Sequence, residues 1–507
     1  MRCVVFGATG YLGARLIPQL LSAGHDVRVM ARHPAKLDDV AWRDRVEVVD
    51  GDVGDGAQVK RALQGQQVLY YLVHSLLRPD FVEFDARAAS TVGAAAARAG
   101  VSRIVYVGGI IADGQELSNH LASRAEVGRL LRDSGVPTVE LRAAAIIGAG
   151  SASFEMLRYL TERLPIMITP RWLRTQVQPI AVRDVLYYLT QAAHLPAQVN
   201  RSFDIGGPDR FSYTQMIRKY AAVAGLSRRI AVPAPVLSPW LSAQWVDLVT
   251  PIPRPLAVSL MESLENDVVC ADHDIADHIA DPPGGLTHYE EAVELALAGV
   301  RDSELRTRWA STEDTAAPSR PLPTDPHWAG GTLYEDLRHR RSGVDAETLW
   351  NVIESVGVDH GWAAAPLAWS LRGWLGELSA LAGLSPSSRA PHRLHAGEAL
   401  DWWRVENVDR PRLLRLRADI ALPGRLWLEM SVRPGDDATA VYRQRALFQP
   451  YGLAGQLFWA AWAPLRDAVF GGIARHITAR AAAGTAAAGS KQQSSQQPKS
   501  PAERDAG

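Results

Sequence analysis

Residues 3–32 read CVVFGATGYLGARLIPQLLSAGHDVRVMAR, and their punctuation decides the fold. Residues 3–6 are a short apolar run, as in a strand buried on both faces. Gly7, Gly10 and Gly13 follow at three-residue intervals. An amphipathic helical stretch then runs to about Gly24, and a second apolar run, 27–31, ends at Arg32. Strand, glycine turn, helix and strand in this register predict a βαβ unit that binds a pyrophosphate. The glycines let the backbone bend sharply and approach the ligand closely. The helix N-terminus supplies unpaired N–H groups and a partial positive charge. Gly7, Ala8, Thr9, Gly10, Tyr11, Leu12 and Gly13 are therefore the expected dinucleotide-binding turn.

The residue after the second strand selects the dinucleotide. A carboxylate there would hydrogen-bond the ribose 2′-hydroxyl of NAD. Here Arg32 stands, with His33 and Lys36 close behind, and a cation favours the 2′-phosphate of NADP. NADP(H) is the preferred cofactor on this reading, with NAD(H) as the alternative. The third strand, VEVVDGDV (46–53), brings Asp52 and Val53 toward the adenine. The next, VLYYLVHS (68–75), carries Leu72, Val73 and His74 past the cofactor.

Totals bound the rest. A chain of 507 residues suggests roughly two to four domains. A formal net charge of -1 gives no reason to expect nucleic acid or anionic lipid as a partner. Two cysteines, Cys3 and Cys270, cannot build a disulfide framework, so a reduced, cytoplasmic protein is expected. The N-terminus shows no signal-peptide apolar region. No uncharged apolar run approaches the ~20 residues of a spanning helix. The longest, GLAGQLFWAAWAPL (452–465), is shorter and contains Pro464. It leaves a peripheral membrane contact open.

Residues 1–310 alternate Val/Ile-rich runs with Ala-rich amphipathic stretches, the rhythm of an α/β, doubly wound parallel sheet. Residues 311–329 begin with STEDTAAPSRPLPTDP and read as a linker. A second domain over 330–480 has another rhythm. RLLRLRADI (412–420) places Leu414, Leu416, Ala418 and Ile420 on one face and Arg415, Arg417 and Asp419 on the other. With RLWLEMSV (425–432) and ATAVYRQRAL (438–447), it predicts an antiparallel meander. A long apolar helix follows over roughly 452–477. Ten of the fifteen tryptophans fall between 328 and 462, either as a Trp-rich core or around a hydrophobic ligand cavity. The tail, 481–507, is low in complexity and reads as disordered.

These segments resemble the short-chain dehydrogenase/reductase superfamily, and within it the atypical, NmrA-like branch that includes an accessory NAD(P)H-binding subunit of mitochondrial complex I. The resemblance rests on GATGYLG (7–13), Arg32, GDV (51–53), RIVYVGGI (103–110), HLASRAEVG (120–128), QPIAVRDV (178–185) and FDIGGPDRFSY (203–213). It implies a seven-stranded parallel sheet with a small substrate lobe built after residue 150. Arg171, Arg174 and Gln176, in TPRWLRTQ, would line that lobe's pocket and favour an oxygen-bearing ligand. Residues 330–480 resemble a helix-grip (START or polyketide-cyclase-like) domain, with DAETLWNVI (345–353) as its early helix. That class implies an α+β fold and a hydrophobic or lipid-like ligand.

Active members of the superfamily carry Ser, Tyr and Lys. Here the fifth strand runs into Gly108–Gly109, where the Ser would stand, and Gly108 faces the cofactor. His120 holds the Tyr position and Arg124 the Lys position. Ser118 is a plausible N-cap for the helix 118–133, and positions 120, 124 and 128 share one face. His120 and Arg124 therefore both point at the nicotinamide end, with Gly128 admitting a close backbone approach. A cation beside a His favours the neutral imidazole, so Arg124 weakens His120 as an acid. Asp113 and Glu116 are the local carboxylates that would offset it. Two functions follow. One is NADPH-dependent reduction of a hydrophobic quinone-like or carbonyl substrate, with His120 and Arg124 as the catalytic pair. The other is a non-catalytic NADP(H) sensor or scaffold with a lipid- or hydrophobic-ligand-binding second domain.

Overall fold

In the computed structural model the chain divides into two compact units, Met1–Gly331 and Thr332–Gly507. The structure describes residues 1–111, 114, 117–169, 171–233, 249–264, 266–305, 322–326, 328–329, 333–356, 393–400, 402–434 and 439–494. Asp113 and Glu116 lie outside the described residues.

Six strands of the first unit are β1 (Arg2–Phe6), β2 (Asp26–Ala31), β3 (Glu47–Asp50), β4 (Val68–Tyr71), β5 (Arg103–Gly109) and β6 (Thr138–Ala143). With the strand Arg201–Ile205 they form a seven-stranded sheet in the order Arg201–Ile205, β6, β5, β4, β1, β2, β3. Every pairing is parallel. The helices are α1 (Tyr11–Ser22), α2 (Gly56–Leu63), α3 (Phe81–Ala99), α4 (Asn119–Arg132), α5 (Ala152–Arg163), α6 (Val182–Ala192) and α7 (Tyr213–Val223). Helices cover both faces, which is why the strands read as unbroken apolar runs. Val5, Tyr70 and Val105 pack with α1 and α6 on one face. Val4, Leu69 and Ile104 pack with α2, α3 and α4 on the other. The strand order reverses between β4 and β1, so their carboxyl ends open a crevice, the place where such sheets bind ligands.

The lobe built after residue 150 contains α5, α7 and two further helices, Arg254–Ser263 and Tyr289–Leu305. The described end of the stretch read as a linker packs against this unit. Both guanidinium nitrogens of Arg15 reach the Asp325 carboxylate at 2.7 Å, and the two side chains are 2% and 4% exposed. Tyr159 donates from its hydroxyl to the Trp328 carbonyl at 2.9 Å. The buried Trp328 joins Met156, Ala257 and Met261 in a small core between α5 and the helix Arg254–Ser263.

The second unit holds a six-stranded antiparallel sheet of Tyr334–Ser342, Ala399–Leu400, Trp403–Asp409, Leu413–Ala418, Gly424–Pro434 and Ala440–Pro450. Leu414, Leu416, Leu428 and Phe448 face a core shared with the helices Ala346–Val356 and Ala463–Ser494. Trp350, Trp403 and Trp459 fill that core. Three details differ from the sequence reading. Arg415, expected in solvent, is buried and paired with Glu429 at 2.7 Å; burial is tolerated because the charge is partnered. The long apolar helix breaks at Trp462 into Gly452–Ala461 and Ala463–Ser494. The second piece continues to Ser494, past residue 481, because its Ala-rich sequence has high helix propensity.

Candidate functional site

The crevice opens into a cavity of about 520 Å³. Its near end is the glycine turn. Gly7 has φ +91°, and a Cβ there would sit 2.6 Å from the Leu72 carbonyl oxygen. A Cβ on Gly13 would overlap the carbonyl oxygen of Gly7. So these two glycines are demanded by the packing of α1 against the strand ends. Gly10 is the N-cap of α1 and offers no side-chain cap, and the first turn carries no acid. The free N–H groups at this end therefore remain available to an anion. Gly13→Ala is expected to destabilise the unit by about 1–3 kcal/mol through overpacking and to abolish dinucleotide binding. Denaturant unfolding and a cofactor titration of the same variant check both effects.

Thr9, Gly10, Tyr11 and Leu12 line the cavity beside Gly7 and Gly13, as do Arg32, Asp52, Val53, Leu72, Val73, His74, Gly108, His120 and Arg124. Ala8 does not; it is buried in the core below the turn. Arg32 is exposed just past the end of β2. Asp52 caps its own turn by accepting from the Gly54 N–H at 2.7 Å. The near end thus offers helix N–H donors, a cation and a close backbone approach, which fits a nicotinamide dinucleotide.

The far end is apolar. Met156, Leu157 and Leu160 of α5 face Leu256, Leu260 and Leu264 across it, with Met216 and Ile217 of α7. Arg174 and Gln176 do not line this chamber; Leu173 does. Arg174 is exposed, and the Gln176 side chain donates to the Arg174 carbonyl at 3.3 Å. Arg174 ends the short helical turn Arg171–Arg174, and Gln176 begins the strand Gln176–Val177, which pairs with Phe211–Ser212. The side chain of Arg171 lies outside the described residues.

His120 and Arg124 sit on α4 as the spacing predicts, with Ser118 as N-cap accepting from the Leu121 N–H at 3.3 Å. Arg124 donates to the Val107 carbonyl, and its guanidinium lies 4.9 Å above the Tyr106 ring. Gly128 serves a different purpose from the one expected. A Cβ there would overlap the buried Glu140 carboxylate, and a Cβ on Gly108 would stand 2.5 Å from Glu140 Oε1. Glu140 itself is held by Arg132 and Arg142. This buried acid, not a ligand, requires both glycines, and it explains why no Ser can stand at position 108.

Three side chains that the sequence reading did not join complete the polar wall. His74 Nε2 meets His120 Nε2 at 3.3 Å, with the rings stacked at 5.2 Å. His74 Nδ1 lies 3.7 Å from Asp85 Oδ2. His120 Nδ1 meets Ser263 Oγ at 2.9 Å. Burial and the Arg124 charge lower the His74 pKa to about 4 against the pull of Asp85. Burial, His74 and Arg124 hold His120 well below the usual histidine range. His74 is still 30% exposed in the open cavity, so its depression acts in full only when the cavity is filled. A trace of Asp85 was present in the sequence. Asp85, Ala88, Ala89 and Val92 share the i, i+3, i+4, i+7 stripe that α3 buries, and an acid on an apolar stripe marks a special position. Ser263 left no such trace, because only the tertiary fold brings it to α4.

Comparison with known proteins agrees with the fold and with a nicotinamide cofactor. Residues 7–152 match a family described as NAD(P)H-binding. Residues 328–473 match a family described as protein of unknown function (DUF2867). The chain is 30% identical over 235 residues to a ceramide reductase of Caulobacter vibrioides, covering 45% of this chain and 71% of that protein. It is 28% identical over 270 residues to a (4-alkanoyl-5-oxo-2,5-dihydrofuran-3-yl)methyl phosphate reductase of Streptomyces griseus, covering 52% and 86%. Among solved structures it is similar to Citrobacter sp. triphenylmethane reductase complexed with NADP(H), with a TM-score of 0.47, 21% identity, and 58% and 99% of the two chains covered. The first unit is an NAD(P)H-binding Rossmann domain of the oxidoreductase type. Through it the chain belongs to the atypical, NmrA-like branch of the short-chain dehydrogenases/reductases. Among the described residues no helix is long and apolar enough to cross a membrane.

Proposed function

We propose that the first unit is an NADPH-dependent reductase of an uncharged, hydrophobic carbonyl or quinone-like compound. The observation that carries this reading is the continuity of one cavity, from the glycine turn, past His120, into a chamber walled by Leu and Met side chains. Bound in that turn, the nicotinamide supplies a hydride to an electrophilic carbon. The uncapped N-terminus of α1 would receive the pyrophosphate, and Arg32 would pair with the 2′-phosphate. Asp52 and Val53 would flank the adenine, and Leu72, Val73, Gly108 and Arg124 would flank the nicotinamide riboside. The far chamber excludes water and accepts an apolar body, which favours a long-chain or ring-bearing ketone over a charged sugar. His120 provides the acid–base chemistry of this end of the cavity. The second unit is read as a helix-grip domain, supported by its antiparallel sheet closed over the long helix Ala463–Ser494.

Cofactor choice is tested directly by titrating NADPH and NADH into wild type and Arg32→Asp. The variant loses a charge-assisted phosphate contact worth about 1.5–3 kcal/mol, so the ratio of the two affinities is expected to shift roughly tenfold or more toward NADH. An unchanged ratio would remove Arg32 from the site. Oxidation of NADPH in the presence of menadione or a long-chain methyl ketone tests the reaction.

A further inference from the structure

Both ring nitrogens of His120 are engaged, Nε2 with His74 and Nδ1 with Ser263. Its ring can reach a substrate oxygen only by giving up one of these links. Ser263 lines the cavity, at the end of a helix whose other residues, Leu256 and Leu260, wall the apolar chamber. At the opposite end stands Asp85, 5% exposed, with Oδ1 lacking a hydrogen-bond partner in the buried interior. We propose that Ser263 is the group that touches the substrate oxygen, and that Asp85, His74 and His120 form the relay that delivers its proton. This rests on the reductase reading of the same cavity.

The proton bookkeeping gives the relay a direction. The Asp85 carboxylate, 3.7 Å from Nδ1, favours the His74 proton on that nitrogen. With both rings neutral, His74 Nε2 is bare and accepts from His120 Nε2–H. His120 Nδ1 is then bare and accepts from the Ser263 hydroxyl. Ser263 Oγ also lies 2.9 Å from the Ser259 carbonyl. That carbonyl is one helical turn back, where a backbone N–H already serves it, so the hydroxyl is free to turn. In this neutral state every link holds one proton, and Ser263 is poised to accept a proton from an alcohol.

Reduction needs one more proton, taken up from solvent on His74, where Asp85 balances it. As it loads, the His120 proton exchanges through cavity solvent from Nε2 to Nδ1, so that His74 donates through Nε2 to His120 and His120 donates through Nδ1 to Ser263 Oγ. The Ser263 hydroxyl thereby faces the substrate oxygen. As the carbonyl carbon gains its hydride, the oxygen takes the Ser263 proton. Ser263 takes the proton from His120 Nδ1, His120 takes that from His74 Nε2, and the neutral state returns. One proton enters at His74 and one leaves in the product hydroxyl. The groups facing His74 are Asp85 of α3 and His120 and Arg124 of α4. Arg78 and Tyr71 act on Asp85. Among these, the Asp85 carboxylate favours the loaded ring, whereas Arg124 opposes it. The loaded fraction rises as pH falls toward the depressed His74 value. Reduction is therefore expected to slow about tenfold per pH unit above it, whereas alcohol oxidation holds its rate.

The test combines turnover with a measurement that needs none. Reduction of a long-chain methyl ketone by NADPH is followed between pH 5 and 8 for wild type, Ser263→Ala, Ser263→Thr, His74→Phe and the double variant of Ser263→Ala with His74→Phe. Loss of one general acid costs about 10²–10⁴-fold. Ser263→Ala should lose kcat on that scale with NADPH affinity unchanged, and Ser263→Thr should restore much of it. The double variant should be no slower than the worse single one, because a relay fails as a unit. Wild-type kcat in Ser263→Ala, or losses that multiply, would overturn the relay. Separately, nitrogen NMR of the histidines in the full chain at neutral pH should find opposite tautomers, with His74 protonated on Nδ1 and His120 on Nε2. Asp85→Asn should disturb the first and Ser263→Ala the second. Matching tautomers would overturn the relay whatever the activity. Opposite tautomers in a chain that binds NADPH but turns nothing over would instead remove the reductase reading alone.

Discussion

His120→Ala should reduce NADPH-driven ketone reduction by about 10²–10⁴-fold while leaving NADPH affinity unchanged. The split follows from where the ring sits. His120 contacts His74 and Ser263, whereas the pyrophosphate end of the cavity is built by Gly7, Gly10 and Arg32. Removing the imidazole breaks the only side-chain link between α4 and Ser263 through a titratable group among the described residues. The cavity gains space but no charge is stranded, because both neighbours are neutral or partnered near neutral pH. The expected signature is thus a fall in kcat with little loss of fold. Steady-state kinetics with menadione and a methyl ketone, alongside a cofactor titration, check it. A quinone, which can take its proton from water, should be affected less than the ketone.

The largest effect on stability is expected at Asp325→Ala, about 3–5 kcal/mol. Arg15 lies in α1, directly behind the glycine turn, with its side chain 2% exposed. It also donates to the carbonyls of Tyr11 and Ala149. Asp325 takes both guanidinium nitrogens at 2.7 Å, and with Glu155 it raises the guanidinium's pKa against the cost of burial. Taking the acid away leaves a buried positive charge without its two-pronged partner. Asp325→Asn keeps an acceptor and should cost less. Urea unfolding followed by tryptophan fluorescence gives both values, and a loss under about 1 kcal/mol in the Ala variant would show that water reaches Arg15. The pair also has a positional consequence. It secures the segment carrying Trp328, whose ring supports Met156, a residue of the cavity wall.

The parallel sheet was readable because glycines leave a steric signature. Gly7 and Gly13 stand where a Cβ collides with backbone, and no other residue type would survive there. His120 and Arg124 were readable because helical spacing is periodic, and α4 begins one residue after the expected cap. Gly128 looked the same as those glycines in sequence, yet its neighbour is Glu140 on β6. A glycine declares close approach but not what approaches. Arg174 and Gln176 failed for a related reason. Their place near the lobe was legible, but Gln176 pairs through a two-residue strand with Phe211–Ser212, more than thirty residues away, and Arg174 ends a short helical turn with its side chain exposed. Ser263 is the extreme case, since it reaches His120 across 143 residues of chain, and nothing local marks it. In the second unit the alternation of Leu414 and Leu416 gave the buried face, but Arg415 is buried as well because Glu429 neutralises it. Alternation reports polarity; it does not report a partner that makes polarity affordable.

Hydride transfer itself can be observed. NADPH deuterated at C4 of the nicotinamide is incubated with the full chain and a long-chain methyl ketone, and the product alcohol is examined by mass spectrometry. Deuterium on the carbinol carbon, in wild type and not in His120→Ala over the same interval, is the expected result. NADPH bound tightly in the turn, with no label reaching the ketone or menadione in any condition from pH 5 to 8, would contradict a reductase.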